Sequence, residues 1–171
     1  MTKRKQQYFL SLYQPVHDRF ERFCRARAFY YMPYEDLMNE SLLVAFKQLH
    51  TLRDKEAFLG FLIGISIKIL ANARRKKKPV GLDFEQLNYA DPTNQLEQLS
   101  DADLLYRALA RLPELQKEAI VLFELTGFSI KEIMKIQNSS ESAVKQRLRR
   151  GRQNLVQIIK QDFACKMGDE L

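Results

Sequence analysis

Apolar residues recur at three- and four-residue intervals along most of this chain, and nowhere do they alternate long enough to build a strand. With six glycines and five prolines in 171 residues, the places where the chain can turn are few. The periodicity therefore predicts an all-α protein. A first helix is expected over residues 7–29, with Tyr8, Leu12, Val16, Phe20, Phe23 and Cys24 on one face. Pro15 interrupts it, because an interior proline kinks or starts a helix, so the regular part can equally begin near Val16. "YYMPYED" is a break, and Pro33 with Glu35 and Asp36 suits the start of a second helix, where acids favour the dipole. That helix, residues 34–50, would bury Met38, Leu42, Ala45 and Leu49. A third opens at Arg53 or Asp54 and ends in "ARRKKKP", cations at a helix C-terminus followed by a proline stop.

Charge divides the chain further. Residues 1–78 hold 16 Lys/Arg against 7 Asp/Glu, residues 79–100 none against 4, and residues 101–171 12 against 10, giving the overall +7. A basic protein of this kind is suited to acidic partners such as nucleic acid or an anionic membrane surface. The middle stretch, "PVGLDFEQLNYADPTNQLEQLS", combines prolines, a glycine and acids, and reads as a flexible linker between two small helical domains. The expected domains are therefore 1–78 and 101–171, joined by 79–100.

The second domain carries the most informative stretch, "SIKEIMKIQNSSESAVKQRLRRGRQNL" at 129–155. Ser129 followed by Glu132 is a capping box. Ile130, Ile133 and Met134 give a short helix one apolar face. "QNSS" then breaks it: Asn138 enters the left-handed region cheaply, and Ser139 or Ser140 can cap the next helix. In that helix Val144, Leu148 and Leu155 face inward, while Ser142, Lys145, Gln146 and Arg149 share the outward face. Two short helices, a tight polar turn and donors on the exposed side of the second form a helix-turn-helix, whose second helix enters a DNA major groove. Ser140 and Glu141 at its start join that candidate contact set. A solvated charged face is the plain alternative for any run of cations. Gly127 suits a C-cap of the preceding helix, and Gly151 a close helix approach.

Other chemistries find no footing. Cys24 and Cys165 lie far apart and His17 and His50 are the only histidines, so neither a disulfide framework nor a metal site is expected. No glycine-rich phosphate loop or nucleophile–base pairing appears, so no enzyme and no cofactor is expected. No signal peptide fits the N-terminus. The apolar run 58–70 is 13 residues long and includes Lys68, short of the roughly 20 a bilayer needs, so it is expected as a buried helix rather than a membrane insertion. Gly60 and Gly64 read as a close helix contact.

Taken together, the halves resemble the extracytoplasmic-function (ECF) group of bacterial RNA polymerase sigma factors, of the sigma-70 family. "YEDLMNESLLVAFKQL" is similar to that family's polymerase-binding helix, and "FLGFLIGISIKILANARRKKK" to the helix that melts the promoter's −10 element. "ALARLPELQKEAIVLFELTGFSIKEIMKIQNSSESAVKQRLRRGRQNL" is similar to region four, which reads the −35 element. The resemblance spans residues 10–159. It implies a cytoplasmic, non-catalytic protein that binds core RNA polymerase and directs promoter-specific transcription initiation. It implies promoter DNA and an anti-sigma factor as partners, with no obligate homo-oligomer. Glu35, Asp36, Asn39, Glu40 and Leu43 would dock on core polymerase. Phe61, Lys68, Asn72, Arg74, Arg75 and Lys76, with Phe58, Lys77 and Lys78 beside them, would hold the melted strand, since aromatics stack on unpaired bases while cations track the backbone. Phe58 and Phe61 suit a core as well as they suit stacking. A stand-alone helix-turn-helix regulator is the alternative; it explains the second half but leaves "EDLMNESLLVAF" without a use.

Overall fold

A computed structural model describes residues 2–76 and 100–168, and every regular element among them is helical. The first half holds α1 (Lys3–Tyr13), α2 (His17–Ala28), α3 (Tyr34–Lys47) and α4 (Phe58–Lys76). The second holds α5 (Asp101–Ala110), α6 (Glu114–Ile120), a π-helical turn (Val121–Leu125), α7 (Ile130–Gln137) and α8 (Glu141–Gly168). The expected linker lies outside the described residues, as do Lys77 and Lys78.

Pro15 divides the expected first helix in two. It sits in a 3-10 turn, Gln14–Val16, between α1 and α2. The break shifts the helical phase, so α1 buries Phe9 and leaves Tyr8 exposed, the reverse of the sequence expectation. Past the break the expected face holds: Phe20, Phe23 and Cys24 are fully buried. Two residues past the end of α2, Tyr30 turns the chain with a φ of 74°, unusual for a bulky residue. Pro33 stands at the N-cap of α3. Asp54 caps the next turn, its carboxylate accepting from the Glu56 N–H at 3.0 Å.

The core of the first half is aromatic at its centre. Phe9 meets Phe46 and Phe58 edge-to-face, with ring centroids 5.4 and 5.5 Å apart. Around them Leu37, Ala45, Leu62 and Ile63 are shut off from solvent. With its preceding turn, α4 is long and apolar enough for a bilayer, but Phe58, Leu59, Leu62, Ile63, Ile65 and Leu70 are spent on this core. Of the two glycines in that helix, Gly60 lies 4.0 Å from the Phe128 ring, measured to the Cβ position it lacks, while nothing approaches Gly64. The close helix contact expected of the pair is therefore absent at Gly64.

In the second half Leu109, Ile120, Val121, Leu122, Ile133, Val144 and Leu148 make the core. Gly127, at φ 76°, turns the chain after the π turn. Gly151 is required by packing, because a Cβ there would stand 2.9 Å from Ile120 Cγ1. The two halves are not independent bodies. α2 packs on α5 and on the π turn, and buried apolar residues of both halves belong to one cluster.

Where α3 crosses α4, Ser41 and Ser66 are fully buried and their hydroxyls lie 2.8 Å apart. Ser66 donates its proton to the Leu62 carbonyl at 2.9 Å, so Ser41 must be the donor to Ser66. Ser66→Ala strands a buried donor and should cost about 1–3 kcal/mol, whereas Ser41→Ala leaves only an acceptor lone pair unused and should cost less. Urea unfolding of the two variants checks this ordering; equal losses would show that Ser41 finds another acceptor.

Candidate nucleic-acid interface

The helix-turn-helix is built as its sequence predicts. Ser129 and Glu132 form a reciprocal capping box on α7. Asn138 adopts φ 45°, ψ 54°, the left-handed conformation, and the Ser139 N–H closes back on the Met134 carbonyl at 3.0 Å, so the last carbonyls of α7 are used. Ser140 then caps α8, its hydroxyl accepting from the Ala143 N–H at 3.2 Å. Val144 and Leu148 are buried beneath α8, while Ser140, Glu141, Ser142, Lys145, Gln146 and Arg149 are exposed together on the outer side. Lys145 pairs with Glu141 at 2.6 Å. The hydrogen bond and charge of Lys145 hold the Glu141 carboxyl below its ordinary range. Both groups are solvated, so salt screens the pair and a phosphate can replace it.

Not every cation of α8 is available in this way. Arg147 is turned inward: its Nη1 donates to Gln137 Oε1 at 2.9 Å and to Ser139 Oγ at 2.7 Å. Gln137 in turn donates through Nε2 to the Leu115 carbonyl and to Glu118 Oε1, each at 3.1 Å. Arg152 binds Glu124 at 2.6 Å and lies over the Phe123 ring. Arg147 and Gln137 thus fix the turn from behind. Sequence reasoning missed both, since neither lies on an apolar stripe. That leaves Lys145, Arg149 and Arg150 as the outward cations in the first three turns of α8.

On α4, Phe61, Lys68, Asn72 and Arg75 follow one another at helical spacing on a single face, with Lys76 beside them. Phe61 is half-buried and tilted against Phe58; the others are exposed. Arg75 donates through Nη2 to the side-chain Oδ1 of Asn72. Two expected members are elsewhere. Phe58 is buried in the aromatic core. Arg74 points to the opposite side of the helix and pairs with Glu114 of the second half at 2.9 Å. The α3 candidates Glu35, Asp36, Asn39, Glu40 and Leu43 share one exposed face, and Leu43 is 53% exposed, an unusual position for a large apolar side chain.

Behind these surfaces the halves meet in a cluster of charges. Arg27 is 3% exposed and its Nη2 reaches Glu114 and, at 3.5 Å, Glu118. Burial alone would raise the Glu114 carboxyl, but the charges of Arg27, Lys117 and Arg74 and the Arg27 hydrogen bond outweigh it and hold the carboxyl low. Burial, together with the nearby arginines, pushes the Lys117 ammonium down, although Glu114 opposes the shift.

Comparison with known proteins agrees with this layout. Residues 102–155, which span the helix-turn-helix, match the family described as "Sigma-70, region 4". The ECF RNA polymerase sigma factor SigM of Mycobacterium tuberculosis is 26% identical over 153 residues, 88% of this chain and 76% of SigM. The RNA polymerase sigma factor SigV of Bacillus subtilis is 26% identical over 168 residues, 95% of this chain and 99% of SigV. The fold is shared with the sigma factor RpoE of Bartonella quintana, solved with the anti-sigma factor NepR, at TM-score 0.69 and 22% identity over 93% of this chain and 98% of that one. It is also shared with CnrH, solved with the cytosolic domain of CnrY, at TM-score 0.67 and 19% identity over 92% and 90%.

The turn network and the exposed face should separate in a stability assay. Gln137→Ala removes a side chain that serves Arg147, Glu118 and the Leu115 carbonyl, and should cost about 1–3 kcal/mol in urea unfolding. Arg149→Ala, which removes an exposed side chain, should stay within about 0.5 kcal/mol of the parent protein. Equal effects would mean that the turn is held by its backbone alone.

Proposed function

Because the chain belongs to the extracytoplasmic-function group of the sigma-70 family, we propose that it binds core RNA polymerase and directs it to promoters by reading DNA at two places. One observation carries this reading: the outward cations of α8 are left to solvent on a pinned helix-turn-helix while its other arginines are committed to structure. Such a helix presents a fixed row of donors to a major groove, where Lys and Arg meet base edges and phosphates. Ser140, Glu141, Ser142, Lys145, Gln146 and Arg149 are the proposed contact set for the −35 element.

On the first half, Phe61, Lys68, Asn72, Arg75 and Lys76 supply an aromatic ring and cations along one helix face, a combination suited to single-stranded DNA of the −10 element. Arg74, on the opposite side of α4 and paired with Glu114, is not part of this face. Glu35, Asp36, Asn39, Glu40 and Leu43 form the proposed docking face for core polymerase, acidic around one exposed leucine. Domain limits at 1–78 and 101–171, with 79–100 as linker, go with this division of labour. The protein acts through binding, as non-catalytic members of its family do, and its place of work is the cytoplasm. RpoE and CnrH were each solved with a protein bound, which supports an anti-sigma partner here. A stand-alone regulator would have no use for the α3 face.

Crossed assays test the division. Lys145→Ala/Arg149→Ala should retain core affinity but lose promoter selectivity in the holoenzyme, at about 1–3 kcal/mol per lost base contact. Glu40→Lys should weaken core binding through charge reversal and leave the other half's DNA contacts intact. Full promoter selectivity in the α8 variant would remove α8 as the reader. Tight operator binding by the free protein, with no stimulation of core enzyme, would favour the regulator.

A further inference from the structure

Beside an apolar component, the directional bonds between the halves are made by arginine. α2 runs antiparallel to the helix formed by α6 and the π turn, and it spends three arginines on that helix. At one end Arg19 Nε donates to the Thr126 carbonyl at 2.7 Å and Arg22 Nε to the Leu125 carbonyl at 3.1 Å. These carbonyls lie where the helix ends, so their acceptors lack intrahelical partners and carry the negative end of the dipole. At the other end Arg27 meets Glu114 and Glu118, in the first turns of α6. From α4, Arg74 adds a second cation on Glu114 at 2.9 Å. Nothing covalent enforces the arrangement, because the 23 residues between Lys76 and Ser100 could reach roughly 75–80 Å if extended.

The chemistry of the contact matters more than its size. A buried arginine–glutamate pair returns little net stability over a well-packed apolar contact, but breaking one partner is costly because a charge is left uncompensated. Arg27 is such a group, with Nε and Nη1 buried and without hydrogen-bond acceptors. The charge on Arg27 is therefore poorly solvated while the halves are closed, and it regains water when they part. Glu114 and Arg74, about one-third exposed, are open to screening. An interface of this composition closes at ordinary ionic strength and can be opened by charge.

We propose that Arg27 and Arg74 on the first half, with Glu114 and Glu118 on the second, form an ionic latch that holds the free protein closed. Resting on the sigma-factor reading, opening the latch is a step separate from promoter recognition, and it frees the Arg74 and Glu114 side chains from each other.

Small-angle scattering of the full chain tests the latch without polymerase or DNA. In about 0.1 M salt the parent protein should show a radius of gyration close to the roughly 16 Å of a compact chain this long. Glu114→Lys places a fourth cation among Arg27, Arg74 and Lys117, and should raise the radius about 1.3-fold as the halves separate, with helical circular dichroism unchanged. The parent should expand in the same direction in about 1 M salt, where the screening length falls to about 3 Å. If Glu114→Lys loses helix content, Arg74→Glu replaces it, a partly exposed site at the far end of α4. A radius equal to the parent's in a folded variant, at both salt concentrations, overturns the latch. Run-off transcription with core enzyme and the parent protein is measured in parallel. Its failure would overturn the sigma-factor reading and leave the scattering result standing.

Discussion

The carboxylate of Glu118 links the first half of the chain to the corner of the helix-turn-helix. It is 7% exposed, and a carboxylate so placed must have partners on both oxygens or pay the cost of desolvation. Oε2 faces Arg27 of the first half, and Oε1 accepts from Gln137 at the end of α7. Gln137 in turn receives Arg147 from α8, and Arg147 also holds Ser139 in the turn. One side chain on α6 therefore anchors the corner between α7 and α8 and faces the surface where the halves meet. The angle of the helix-turn-helix is set by a polar network behind it, with the buried pair Ile133 and Val144 in front.

This arrangement explains how a chain with net charge +7 divides its cations between structure and recognition. Arg19, Arg22, Arg27, Arg147 and Arg152 are each bonded to carbonyls, carboxylates or the turn. Arginine suits these places because its fork can satisfy two acceptors at once and stays charged when buried. The exchangeable cations are instead solvated, as in Lys145, whose bond to Glu141 is exposed and readily traded. Net charge by itself says nothing of this division; it appears only when each head group is followed to its acceptor.

The same distinction accounts for what the sequence disclosed. Features written in local spacing came through: both sides of the helix-turn-helix, the Ser129–Glu132 box, the left-handed Asn138, the turn at Gly127 and the tight site at Gly151. Each depends on residues within a few positions of one another, or on a rule about one residue type. Phase was lost at Pro15, because a 3-10 turn rotates the following helix, and so Phe9 rather than Tyr8 enters the core. Tyr30 in the left-handed region leaves no signature, since the sequence rule points to glycine or asparagine. Arg74 was grouped with its neighbours by proximity in sequence, yet one residue of helix is a 100° rotation, enough to send it to the other half. The Arg27–Glu118 contact joins residues 91 apart, and no local pattern announces such a pairing.

The contrast between the two kinds of contact also bears on how the protein can change shape. Within each half, helices meet mainly through rings and aliphatic chains that close-pack, with a few buried polar links such as Ser41–Ser66, and an interior of that type has few alternative arrangements. Between the halves an apolar component exists, with Phe128 near Gly60 and Phe29 near Tyr106, but the directional bonds are ionic or reach backbone carbonyls. Charges and carbonyls can be satisfied by water or another polyelectrolyte when the halves separate, whereas a buried phenylalanine cannot. The plane between the halves is therefore where the directional bonds can be exchanged for solvent. A chain whose proposed nucleic-acid faces lie on both sides of that plane can change their separation without disturbing either core.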